Sequence, residues 1–167
     1  MVTECTSASC TRACSQLDVS ALTEYSSLTG PFATIQGWNY VTPTCLDNSQ
    51  SSTCNNQNMT AIQEYLTTSG PIAIVVNAGA WDSYTGGVMN AATCGSSSAN
   101  SMDHAVQLVG FNATSSTPYW IVRNSWSTDW GESGYIYLSY PGNTCGLGNS
   151  ATYVSILNGQ DNFTGRR

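Results

Sequence analysis

The first stretch of the chain has no readable hydrophobic period. Residues Met1 to Arg12 are rich in Cys, Ser and Thr and fit neither a helical nor a two-residue repeat, which reads as the frayed edge of a larger structure or a loop held by disulfides. Between Ala33 and Val41 the apolar positions Ile35, Trp38, Tyr40 and Val41 predict a strand with an irregularity at Gly37, and Thr42 to Asn56 follow as turn-rich loop. A short helix comes next. Thr60 and Gln63 have the spacing of a capping box, Ile62, Tyr65 and Leu66 form one apolar stripe, and Gly70-Pro71 stops it. Beyond the stop the pattern turns strand-like at Ile72 to Val76, His104 to Phe111, Tyr119 to Arg123, Tyr135 to Leu138 and Thr152 to Ile156, with glycine-containing turns such as Thr85-Gly86-Gly87 between them. Short strands with one or two short helices predict an α+β fold whose sheet is mostly antiparallel and barrel-like. No repeat or linker divides the chain, so residues 1–157 read as one domain part and the polar stretch 158–167 as a tail.

Composition narrows the function classes. Four Lys plus Arg against ten Asp plus Glu give a formal net charge of −6, which argues against a phosphate-neutralising surface and against attraction to an anionic membrane. No run approaches the ~20 apolar residues of a membrane span. Seven cysteines and three glycosylation sequons, at Asn58, Asn112 and Asn162, point to an oxidising compartment, lysosomal or vacuolar, or extracellular. The N-terminus has no hydrophobic signal region, a conflict that disappears if the natural protein starts further upstream.

One histidine, His104, stands at the head of an apolar strand in Met102-Asp103-His104-Ala105-Val106. Alone it fits a structural residue as well as a proton-transfer group. Downstream lie Val122-Arg123-Asn124-Ser125-Trp126, then Trp130-Gly131-Glu132-Ser133-Gly134-Tyr135, then Cys145-Gly146-Leu147. In this order the four blocks resemble the papain-like cysteine peptidase family, over about Ala33 to Ile156, with the C-terminal half alone represented. The resemblance implies that His104 takes the proton of a cysteine thiol and later protonates the leaving amine, and that Asn124 accepts a bond from the imidazole and sets its tautomer. It implies that Trp126 covers that bond, and that Val75, Met102, Ala105 and Ser150 line an apolar pocket for the substrate side chain two residues before the scissile bond. Trp130 is placed on the leaving-group side. The resemblance also pairs Cys94 with Cys145 and implies no cofactor.

Half of the machinery has no counterpart. The family's Cys-Gly-[Ser/Ala]-Cys-[Trp/Tyr] motif lies about 130 residues before the histidine, which from His104 falls ahead of residue 1. None of the seven cysteines precedes Trp or Tyr. The oxyanion-hole glutamine that precedes the motif has no match either. The expectation is therefore a cysteine-type peptidase part that is inactive alone and whose partners are the missing N-terminal half and a peptide or protein substrate. With Cys94 and Cys145 paired, Cys5, Cys10, Cys14, Cys45 and Cys54 leave an odd count, which asks for a partner in that half. No His pair or second Cys-x-x-Cys cluster accompanies them, so no metal site is expected. The alternatives are a non-catalytic binding domain that kept this fold and a disulfide-rich secreted module.

Overall fold

The computed structural model describes residues 35–45 and 57–156. Seven strands, β1 (Ile35–Tyr40), β2 (Ile72–Val76), β3 (Val88–Met89), β4 (His104–Asn112), β5 (Tyr119–Arg123), β6 (Tyr135–Ser139) and β7 (Ala151–Ile156), form one sheet in the order β1-β7-β2-β4-β5-β6-β3. Every pairing is antiparallel except β3 with β6, which is parallel. Among the described residues two α-helices, α1 (Met59–Thr68) and α2 (Ala91–Cys94), complete a mixed α+β fold with short 3-10 turns at Ala99–Ser101 and Thr144–Gly146. The expected irregularity at Gly37 is a register shift between β1 and β7, and a second shift at Leu108/Gly110 bends β4. The N-terminal loop, the tail, Asn162 and Cys5, Cys10, Cys14 and Cys54 lie outside the described residues.

The core follows the two periods read from the chain. On β2, Ile72, Ile74 and Val76 are buried while Ala73 is exposed, on β5 Trp120 and Val122 point inward, and on β6 Ile136 and Leu138 do. Ile72 is paired in register with Leu108, and Trp120 with Leu138, so the buried rows stack across strands. Each such side chain contributes ~1.5–3 kcal/mol on burial. Helix α1 closes one side through Ile62 and Tyr65, with Leu66 packed on the same cluster.

The capping of α1 differs from the expectation. Asn58, not Thr60, is the cap: its Oδ1 accepts from Ala61 N at 3.1 Å. Gln63 is drawn instead to the far end of the sheet, where its Oε1 accepts from the Tyr140 hydroxyl at 2.6 Å. With its side chain bonded to Tyr140, Gln63 does not complete a capping box with Thr60. At the other end Ser69 N and Gly70 N both donate to Tyr65 O, and Gly70 turns out at φ 127° ahead of Pro71, as the sequence predicts.

Candidate active site

His104 and Asn124 are twenty residues apart and meet because β4 and β5 are antiparallel neighbours. His104 opens β4 and Asn124 follows the last residue of β5, so both emerge at one end of the sheet. The start of β4 is pinned by Asp103, whose N–H donates to Val76 O at 3.0 Å and whose Oδ1 accepts from Ala78 N at 2.8 Å. Asn124 is pinned by the turn beyond it, since its N–H donates to Gly134 O at 2.9 Å. That turn needs glycine: at Gly131, φ 56°, an added Cβ would lie 2.7 Å from Tyr135 O and 2.9 Å from Tyr84 Cε1.

His104 Nε2 lies 2.9 Å from Asn124 Oδ1. The backbone N–H of Ser125 also points at Oδ1, at 2.8 Å. An N–H can only donate, so that atom is the carboxamide oxygen and the imidazole must donate to it from Nε2. The proton therefore rests on Nε2, and the neutral ring carries its lone pair on Nδ1. The arrangement is that of an imidazole whose tautomer is set by a neighbouring acceptor. Asn124 Nδ2 is buried and has no hydrogen-bond partner among the described residues.

Indole rings close around the pair. Trp126 stacks on His104 with centroids 5.0 Å apart and planes 28° from parallel, and Trp81 meets the ring edge-on at 6.0 Å. Trp130 packs on both indoles, at 5.2 Å from Trp126 and 6.1 Å from Trp81, and its Nε1 donates to Trp81 O at 3.2 Å. Trp81 is fully buried and gives its own Nε1 to Cys145 Sγ at 3.5 Å. Sequence reasoning missed Trp81; the available signal was one large aromatic in the otherwise small and polar run Asn77-Ala78-Gly79-Ala80-Trp81-Asp82.

Of the other expected residues, Val75 and Ala105 lie opposite each other across β2 and β4, and Val75 N donates to Ser150 O at 3.2 Å. Ser150 is buried. Met102 covers Gly146, where a Cβ would fall 2.5 Å from Met102 Cε, and its Sδ lies 3.9 Å from Asn149 Nδ2, next to Ser150. A cavity of about 400 Å³ borders the dyad, lined by Ala105, Val106, Gln107, Arg123, Asn124 and Ser125. The sequence reading assigned nothing to Gln107 or Arg123. Cys94 and Cys145 form a disulfide with Cα atoms 5.3 Å apart. Cys45 is also disulfide-bonded, so no cysteine among the described residues offers a thiol. Asn58 is exposed at the start of α1, and Asn112 ends β4 with Oδ1 accepting from the N–H groups of Thr114 and Ser115.

The family model for papain family cysteine proteases matches residues 13–155. Cathepsin O of Homo sapiens is 43% identical over 83 residues, covering 50% of this chain and 25% of its own length. Cysteine proteinase 1 of Dictyostelium discoideum is 46% identical over 82 residues, covering 46% of this chain and 23% of its own. Among solved structures, digestive procathepsin L 3 of the Tenebrio molitor larval midgut superposes with TM-score 0.58 at 27% identity, over 73% of this chain and 36% of that one. Bromelain from Ananas comosus, solved with the E64 inhibitor, gives 0.56 at 28%, over 72% and 50%. The chain spans about a quarter of the length of the curated relatives it matches.

Proposed function

Because this chain belongs to the papain family of cysteine proteases, we propose that it carries the base-and-orienter half of a cysteine peptidase, with His104 and Asn124 as its working pair. The observation that carries the reading is the 2.9 Å contact between His104 Nε2 and Asn124 Oδ1, which leaves Nδ1 as the proton acceptor. A thiol delivered by a segment outside this sequence gives its proton to Nδ1, and the thiolate attacks the peptide carbonyl. The imidazolium then protonates the leaving amine, and the acyl-enzyme is released when the same nitrogen deprotonates water. Through both steps Nε2–H stays bonded to Asn124, and Trp126 excludes water from that bond, which strengthens it.

Val75, Met102, Ala105 and Ser150 form the wall for an apolar side chain two residues before the scissile bond; the cross-strand pairing of Val75 with Ala105 and the bond from Val75 to Ser150 support it. The chain alone is inactive in this reading. The protein works in a lysosomal, vacuolar or extracellular compartment, which the Cys94–Cys145 disulfide supports, with Asn58, Asn112 and Asn162 as sugar acceptors. The test combines the chain with the cysteine-bearing half of a papain-family domain and assays a peptide with an apolar residue at the second position. Turnover that appears on mixing and vanishes with His104→Ala is expected. Turnover by the lone chain that is sensitive to His104→Ala, or none in the complete pair, overturns the reading.

A further inference from the structure

We propose that Glu132 is a positioning residue for the His104–Asn124 pair, its carboxylate strapping the Tyr84–Gly87 loop to the turn that holds Asn124 and so pressing the indole wall against the imidazole. The inference rests on the reading of that pair given above. Glu132 lies in the middle of the Trp130–Tyr135 motif, and the proton transfers proposed above do not pass through it. Its Oε1 accepts from Gly87 N at 2.9 Å, and a Cβ on Gly86 would fall 2.9 Å from the same oxygen. The loop therefore passes directly over the carboxylate with two residues that have no side chain.

Tyr84 provides the second tie of the same loop. Its hydroxyl donates to Gly87 O at 2.6 Å and accepts from Tyr137 N at 3.2 Å, on β6. Burial holds the phenol above its ordinary value of 10.0, the bond from Tyr137 N–H pulls back, and the Glu132 charge adds to the rise. The group is thus a neutral donor throughout the physiological range.

Two routes lead from this strap to the catalytic pair. On one, Glu132 and Tyr135 exchange backbone bonds at 2.9 and 3.1 Å, Gly134 N donates to Trp130 O at 2.7 Å, and Gly134 O receives Asn124 N–H at 2.9 Å. On the other, the Tyr84 ring packs 5.5 Å from Trp130, while Trp81 O collects both Tyr84 N and Trp130 Nε1, at 2.9 and 3.2 Å. The Trp81 ring then meets His104 edge-on. Among the described residues Glu132 is the side chain that hydrogen-bonds the loop to the turn, beside the ring contact of Tyr84 with Trp130, so its loss loosens both routes at once.

The experiment follows the Nε2–H proton of His104, the chain's one histidine, in the ¹⁵N-labelled full chain, together with the Gly87 amide. In Glu132→Ala both protons exchange with solvent at least about tenfold faster than in the parent. Glu132→Gln keeps an oxygen for Gly87 N–H and restores both to within about twofold. Should Glu132→Ala lose its near-ultraviolet circular dichroism, Tyr84→Phe carries the same expectation for the loop's second tie. A freed Gly87 amide with an unchanged imidazole proton overturns the proposal, as does a Gln variant that behaves like Ala. None of these readouts uses turnover, so an inactive complete pair would sink the peptidase reading and leave the strap standing. In an active pair, Glu132→Ala lowers kcat with KM within about twofold.

Discussion

Replacing Asn124 with Ala separates what the carboxamide does for chemistry from what it does for stability. Its Oδ1 accepts two bonds, from His104 Nε2 and Ser125 N, and each neutral bond of this kind contributes ~1 kcal/mol net. Their loss costs ~2 kcal/mol, less whatever water restores at the exposed Ser125 N–H. Against this stands Nδ2, buried with no acceptor among the described residues, whose desolvation penalty of ~1–3 kcal/mol vanishes with the amide. The terms cancel to within ~1 kcal/mol, so Asn124→Ala unfolds in urea within about 1 M of the parent midpoint for a slope of ~1–3 kcal/mol per M. Catalysis has no such cancellation. The bond from a charged imidazolium is worth ~1.5–3 kcal/mol, which removes a factor of roughly 10 to 150 from kcat in the complete pair. A destabilisation above ~3 kcal/mol would refute the accounting, because it would mean that Nδ2 contributes a bond. A kcat loss under about threefold would refute the orienting role.

The Cys94–Cys145 bridge spans a sequence separation of 51, for which loop entropy gives ~4 kcal/mol at 25 °C. A Cys94→Ser, Cys145→Ser double variant should lose about that much in urea unfolding, and Trp81, whose Nε1 bonds Cys145 Sγ, should report it as an altered indole emission. A loss below ~1 kcal/mol would contradict this. The Tyr84 phenol has a folded pKa above its unfolded value of 10.0, raised chiefly by burial, so the folded state holds that proton more tightly. Its contribution is complete below pH 10 and is lost as pH rises through the folded value. Unfolding measured from pH 8 to 12 should show stability falling above pH 10, and Tyr84→Phe should flatten the fall; an unchanged slope would remove Tyr84 as the cause.

Much of the fold is legible along the chain because strand burial has a period of two and helix burial a period near four, and both survive without knowledge of neighbours. Ile72, Ile74 and Val76 declare β2, Ile136 and Leu138 declare β6, and Gly37 declares its own register shift. The two-residue β3 and the four-residue α2 were not readable, since neither is long enough to complete a period. Thr60 and Gln63 carried a local signal that lost to Asn58 and to a partner 77 residues away, Tyr140.

The same division holds at the site. The residue types, their order and their likeness to one peptidase family are properties of the chain, and from them came the nomination of His104, Asn124 and Trp126 and the Cys94–Cys145 pairing, of which the structure contains the disulfide. Which imidazole nitrogen holds the proton depended on the Ser125 N–H that identifies Oδ1, and the walling of the ring by Trp81 depended on a loop folded back from beyond β2. The tie from Glu132 to Gly87 crosses 45 residues. A chain carries the chemistry of each side chain and the period of its burial; distances and directions between side chains arise only when strands take their register, so geometry waits for the tertiary structure.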